Sequence, residues 1–177
     1  MLIVNNLHRA LEVTLQIPVR TYEIDFAGIV SNIVYIKWLE DLRLKFLEEH
    51  FPIHQQIEQG YVPILAGTEI EYKRPIKLID KVIGRLWLSN LGRLKWTVQA
   101  EILSNNQLAA VAQQKGAFVN LQNGRPVSIP EELQQKYLNI NLFSYKPIGL
   151  FLRRKSVCST STTIIVHLWP VVYGVPY

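Results

Sequence analysis

Asp25 stands seven residues ahead of Asn32, where a long amphipathic pattern begins, and the small pair Ala27-Gly28 lies between them. That spacing can set a carboxylate beside the positive end of a helix, where the first backbone N–H groups lack partners. A carboxylate that attacks or deprotonates, next to a set of amide donors, is what hydrolysis of an activated acyl group needs. On spacing alone, a turn or helix-capping carboxylate is the simpler reading of Asp25. Glu40 and Arg43 lie three apart on the amphipathic pattern and read as an ion pair on one helix face. His50 and His54 have no Cys or acid partner at triad or metal spacing, and the single Cys158 excludes an intramolecular disulfide.

The elements that would carry these residues follow from periodicity. Residues 12–22 read as a strand with Val13, Leu15, Ile17 and Val19 on one face, and Pro18 implies an edge position or a bulge. Residues 32–50 read as a helix, with Tyr35, Trp38 or Leu39, Leu42 and Phe46 as its apolar stripe and Ser31 or Asn32 as N-cap. After Pro52 comes a short helix stopped by Gly60. Strands are expected over 68–73, 82–88, 94–102 and 108–121, the last two joined by the Asn105-Asn106 turn. Trp96 falls on the inward face of its strand and reads as core. Pro130 opens a short terminal helix. One long helix followed by hairpin-linked strands is an α+β pattern, a curved antiparallel sheet around a central helix.

The run Asp25-Phe26-Ala27-Gly28-Ile29-Val30, continued by Asn32, Tyr35, Trp38, Glu40 and Arg43, resembles the active-site segment of the hotdog-fold acyl thioesterases. The particular likeness is to the 4-hydroxybenzoyl-CoA thioesterase family, in which D-x-A-G-[IV]-V precedes the central helix. Residues 22–25 and 30–35 are also similar to the plant fatty-acyl-ACP thioesterases of hotdog type. The resemblance implies a hotdog domain, assigned to residues 1–138, that hydrolyses acyl-CoA to a free acid and CoA in fatty acid metabolism. The alternatives are an acyl-ACP thioesterase and a non-catalytic acyl-thioester-binding protein.

The resemblance further implies that Asp25 acts as nucleophile, through a mixed anhydride, or as general base toward water. It implies that the backbone N–H at Asn32 polarises the thioester carbonyl and that Gly28 lets the backbone approach closely. Tyr35 would contact substrate, and Glu40 is the fallback carboxylate. Lys73, Arg74, Arg93 and Lys95 are the basic candidates for the carrier, the last two beside the Gly92 turn. No cofactor or metal is implied. Relatives build their sites between subunits, so a homodimer or homotetramer is expected.

Composition narrows the rest. The chain has 177 residues, 49% of them apolar, which suits one ordinary domain. No run of eighteen apolar residues supports a membrane span, and the N-terminus lacks a signal-peptide pattern. Cytoplasmic residence is the expectation. The net charge of +5 would suit nucleic acid, but residues 1–138 hold 15 bases against all 14 acids, leaving +1. The remaining four bases lie in residues 139–177, a basic and apolar tail with no acids and no assigned role. No nucleic-acid partner is expected.

Overall fold

The computed structural model describes residues 9–144. In chain order the elements are β1 (Ala10–Ile17), α1 (Asn32–His50), α2 (Ile53–Glu58), β2 (Tyr61–Tyr72), β3 (Val82–Leu91), β4 (Lys95–Ser104), β5 (Gln107–Asn120), β6 (Pro126–Val127) and α3 (Glu131–Ser144). The strands form one antiparallel sheet in the order β1-β3-β4-β5-β2, and β6 pairs with the end of β5. The sheet wraps around α1, which is the hotdog arrangement the sequence implied.

Helix α1 forms where expected, residue for residue. Val34, Tyr35, Trp38, Leu39, Leu42, Phe46 and Leu47 recur at three-to-four spacing and are buried. They meet the inward residues of the sheet, among them Leu86, Leu88, Val98 and Ile102. Each such aliphatic side chain contributes about 1.5–3 kcal/mol by leaving water, so this seam holds the helix against the sheet. The outer sheet face is polar. There the Arg9 guanidinium lies 3.9 Å from the centre of the Trp87 ring and bonds Glu101 at 2.7 Å.

The Asn105-Asn106 turn forms as read, with both residues at positive φ (50° and 64°), the conformation a tight hairpin needs. Elsewhere the chain departs from the periodic reading. Strand β1 stops at Ile17, before Pro18, and the chain enters a 3-10 turn over Thr21–Glu23. The irregularity of β1 lies instead between Ala10 and Val13, where Leu11 takes φ 56°. Strand β2 begins at Tyr61 rather than 68 and includes Pro63, which a strand tolerates at the sheet edge. Helix α3 continues past Leu138 to Ser144, and the rest of the proposed tail lies outside the described residues. Among the described residues, no helix is long and apolar enough to cross a membrane.

Candidate active site

The segment between β1 and α1 builds a small hairpin around Asp25. Ile24 bridges Val30, and the Asp25 N–H donates to the Ile29 carbonyl at 2.8 Å. The Gly28 N–H returns to the Asp25 carbonyl at 3.0 Å, closing a turn in which Gly28 has φ 74°. An L-residue there would strain the backbone, which explains the glycine. Asp25 Oδ1 accepts the Ala27 N–H at 2.8 Å. This is an Asx turn, the local role that spacing alone suggested. It also fixes the carboxyl group while leaving Oδ2 without a partner among the described residues.

Two further bonds set this hairpin in place. The Ser31 N–H donates to the Glu23 carbonyl at 2.9 Å, and the Val30 N–H donates to the Ile76 carbonyl at 2.8 Å. The Glu23 carboxylate meanwhile accepts the Arg20 N–H at 2.8 Å. Helix α1 starts immediately afterwards. Ser31 occupies its N-cap position without a side-chain cap bond. The Val34 N–H turns back to Ser31, while those of Asn32 and Ile33 have no partner among the described residues. A fixed carboxylate therefore sits in the hairpin that leads directly into an open, positively polarised helix end.

Tyr72, at the end of β2, donates its hydroxyl to the Asn32 carbonyl at 3.3 Å. Its ring meets Tyr35 edge-on at 5.0 Å, and Tyr35 meets Trp38 at 5.1 Å. Tyr35 is only 3% exposed, so its ring is part of the core beneath the site. Burial, followed by the influence of Tyr72, pushes the Tyr35 phenol up to about 12 and keeps it neutral. This segment exposes apolar side chains: Phe26 fully, Tyr22 to 80% and Ile33 to 67%.

A family model described as the thioesterase-like superfamily matches residues 19–137. The chain belongs to that superfamily. The DHNA-CoA thioesterase of Staphylococcus aureus shares its fold, with a TM-score of 0.69 and 20% identity over 75% of this chain and 93% of that one. A thioesterase of Thermus thermophilus, solved with coenzyme A and Zn, superposes with a TM-score of 0.62 at 26% identity. That match covers 72% of this chain and 92% of the other. The chloroplastic acyl-acyl carrier protein thioesterase of Arabidopsis thaliana is 25% identical over 126 residues, 70% of this chain and 66% of its own.

In this thioesterase Asp25, Gly28, Asn32 and Tyr35 gather at one end of the sheet. Lys73 and Arg74 follow Tyr72 directly at that end. Lys73 pairs with Glu71, and Arg74 bonds Gln107 at 2.9 Å. Arg93 and Lys95 do not join them. Lys95 is in register with Ala117 and through it with Ile64, while Tyr72 is in register with Ala110. Ile64 and Tyr72 are eight residues apart, roughly 25 Å of strand, so the two basic sets mark opposite ends of the sheet. Glu40 pairs with Arg43, as its spacing implied, and Arg43 reaches Gln114 at 3.4 Å. Gln114, 1% exposed, donates to Thr68 Oγ1 at 3.2 Å.

Tyr72 and Gln114 were not singled out from sequence. Gln114 carried a usable signal, since it is a polar residue at an inward position of a β-pattern. Tyr72 carried none, because its nearness to Asn32 depends on where the edge strand ends against the helix.

Proposed function

We propose that this thioesterase hydrolyses acyl-CoA to a free carboxylic acid and CoA, with Asp25 as its reacting carboxylate. One observation carries the reading: a carboxyl group fixed at Oδ1, with Oδ2 unengaged, in a pinned hairpin that leads into the unpartnered Asn32 and Ile33 N–H groups. A thioester is already activated, so a carboxylate and an oxyanion site suffice. As nucleophile, Asp25 forms a mixed anhydride and expels the thiolate, and water then cleaves the anhydride. As base, it takes a proton from the water that attacks the carbonyl directly. In either route the carbonyl oxygen gains charge where the Asn32 N–H and the helix dipole favour it. Tyr72 holds the Asn32 peptide in place from the neighbouring strand.

A second reading, acyl carrier protein in place of CoA, is favoured by the activity that the Arabidopsis relative is named for. Measuring thiol release from matched acyl-CoA and acyl-ACP panels tests both. Release from neither would sink the assignment.

The assembly completes the proposal. Strand β2 is a sheet edge of 12 residues that exposes Ile64 and Leu65. An unpaired apolar edge of that length calls for a partner, and a second copy in antiparallel pairing supplies one. That two-fold would carry the Arg93 and Lys95 end of one chain toward the Asp25 end of its partner. The site then draws its carrier contacts from two chains, in a homodimer or in a homotetramer of such pairs. Cytoplasmic residence, a place in fatty acid metabolism and the absence of a nucleic-acid partner complete the reading, supported by the single cysteine and the +1 balance of residues 1–138.

A further inference from the structure

Between β2 and β3 the chain reads Lys73-Arg74-Pro75-Ile76-Lys77-Leu78-Ile79-Asp80-Lys81, four bases against one acid. This loop is built to hold its shape. The Asp80 carboxylate accepts the Lys77 N–H, the Ser104 hydroxyl and the Asn105 side-chain amide, each at 2.9 Å. The Lys81 N–H donates to the Asn105 side chain at 3.0 Å, and the Asn105 N–H returns to the Lys81 carbonyl at 2.9 Å. These bonds, with that to Lys77 first, hold the Asp80 carboxyl below its usual range and ionised. The single acid of the loop is thus engaged by three donors.

What the loop presents outward is cationic and apolar. Ile79 is 90% exposed and Leu78 43% exposed, between two lysines whose ammonium groups make no hydrogen bond or ion pair among the described residues. An isoleucine held in water by a locked backbone gains nothing from folding. Its exposure is what a contact surface requires. The loop also abuts the reacting carboxylate, because the Ile76 carbonyl receives the Val30 N–H that anchors the Asp25 hairpin.

We propose that Lys77, Leu78, Ile79 and Lys81 form the docking surface for an acidic carrier protein that delivers the acyl thioester on its pantetheine arm. The proposal rests on the thioesterase reading of the site and takes up its second carrier, acyl carrier protein, as a further substrate form beside acyl-CoA. Charge complementarity favours this occupant. Residues 1–138 are nearly neutral overall, yet this loop concentrates an excess of three positive charges beside the site. A small-molecule carrier would use the lysines but leave Ile79 bare. A rigid surface with an apolar centre and a cationic rim suits a folded anionic partner and limits the ordering cost of docking.

The test uses the full chain, with the same acyl group presented on CoA and on acyl carrier protein. Lys77→Glu with Lys81→Glu should lower kcat/KM on the carrier-protein substrate by at least about tenfold and leave the CoA substrate within about twofold. Ile79→Ser, a change at a fully solvated position, should act in the same direction alone. Calorimetric binding of acyl-free carrier protein to the Asp25→Asn chain should weaken in parallel, and wild-type binding should weaken as salt is raised. Equal losses on both substrates, or no loss on either, would overturn the proposal. So would a loss of dimer by light scattering, which would make a second copy the occupant. Loss of binding to phosphatidylglycerol vesicles, with carrier-protein kinetics unchanged, would assign the surface to a membrane instead. Should wild type cleave neither thioester, the reading of the site fails, while the calorimetry still decides the surface.

Discussion

Asp25 closes an Asx turn and is the proposed reacting carboxylate, and the two roles can be separated. Asparagine keeps the side-chain oxygen that accepts the Ala27 N–H, so Asp25→Asn should fold normally. It removes the nucleophile or base, and thiol release should fall by at least ~10²-fold. Near-wild-type turnover in the folded variant would move the role to Glu40, although Arg43 already engages that carboxylate. Tyr72 allows a finer separation. Phenylalanine preserves the edge-on contact with Tyr35 but deletes the bond to the Asn32 carbonyl. Tyr72→Phe should lose about 0.5–1.5 kcal/mol in a urea titration. If the hydroxyl also positions the oxyanion donor, kcat falls while KM holds. An unchanged kcat would leave Tyr72 with a packing role alone. The proposed catalytic stretch was legible because its pattern is local, with a turn glycine, a carboxylate and a helix start inside a few residues. The Tyr72 contact spans forty positions of sequence and was invisible for that reason.

Among the elements, α1 was readable end to end, since a helix declares itself by its own period. Strand β2 starts at Tyr61, well ahead of the alternation at Thr68, Ile70 and Tyr72 that announces it, and only the sheet order shows that Pro63 sits on an edge. Register likewise decided which bases flank the site, and register is a property of pairs of strands. The C-terminus of α1 adds a pH dependence that no local pattern announced. His50 Nε2 is buried without a partner, and its ring packs edge-on against Phe46. Burial lowers its pKa more than Glu49 and the Leu11 backbone raise it, and Lys136, bonded to the His50 carbonyl, adds to the lowering. The unfolded chain therefore takes up this proton at higher pH than the folded one. Stability is full above about pH 6.5 and declines as pH falls below it toward the lower folded value. Urea midpoints measured between about pH 7.5 and 5.5 should drop in wild type, and the slope should flatten in His50→Gln. An equal slope in both would place the dependence elsewhere.

At the scale of the whole molecule, the open edge of β2 and the separation of the basic sets point to the same assembly. Light scattering should find at least a dimer, and an active species near the 20.4 kDa of one chain would refute it. Charge reversal at Arg93 and Lys95 tests the shared site. Mixed with Asp25→Asn subunits, such chains should regain activity through heterodimers in which one site is whole. The domain boundary also has a measurable position. Ile140 packs against the core from α3, which continues to Ser144. A chain ending after Ser144 should stay folded and active on a short acyl-CoA, whereas one ending after Leu138 discards that contact. Unfolding of the chain that ends after Ser144 would make the remaining tail part of the domain.

The turn that closes the Asp25 hairpin has one more implication. Gly28 sits at φ 74°, yet a Cβ built on it would meet nothing within 4 Å. The restriction at this position is one of handedness and not of room. L-alanine would cost roughly 1–2 kcal/mol at such an angle, while its mirror image adopts it without strain. A chain assembled with D-alanine at position 28 should keep the hairpin, and the narrower freedom of its unfolded state should make the fold more stable than glycine does.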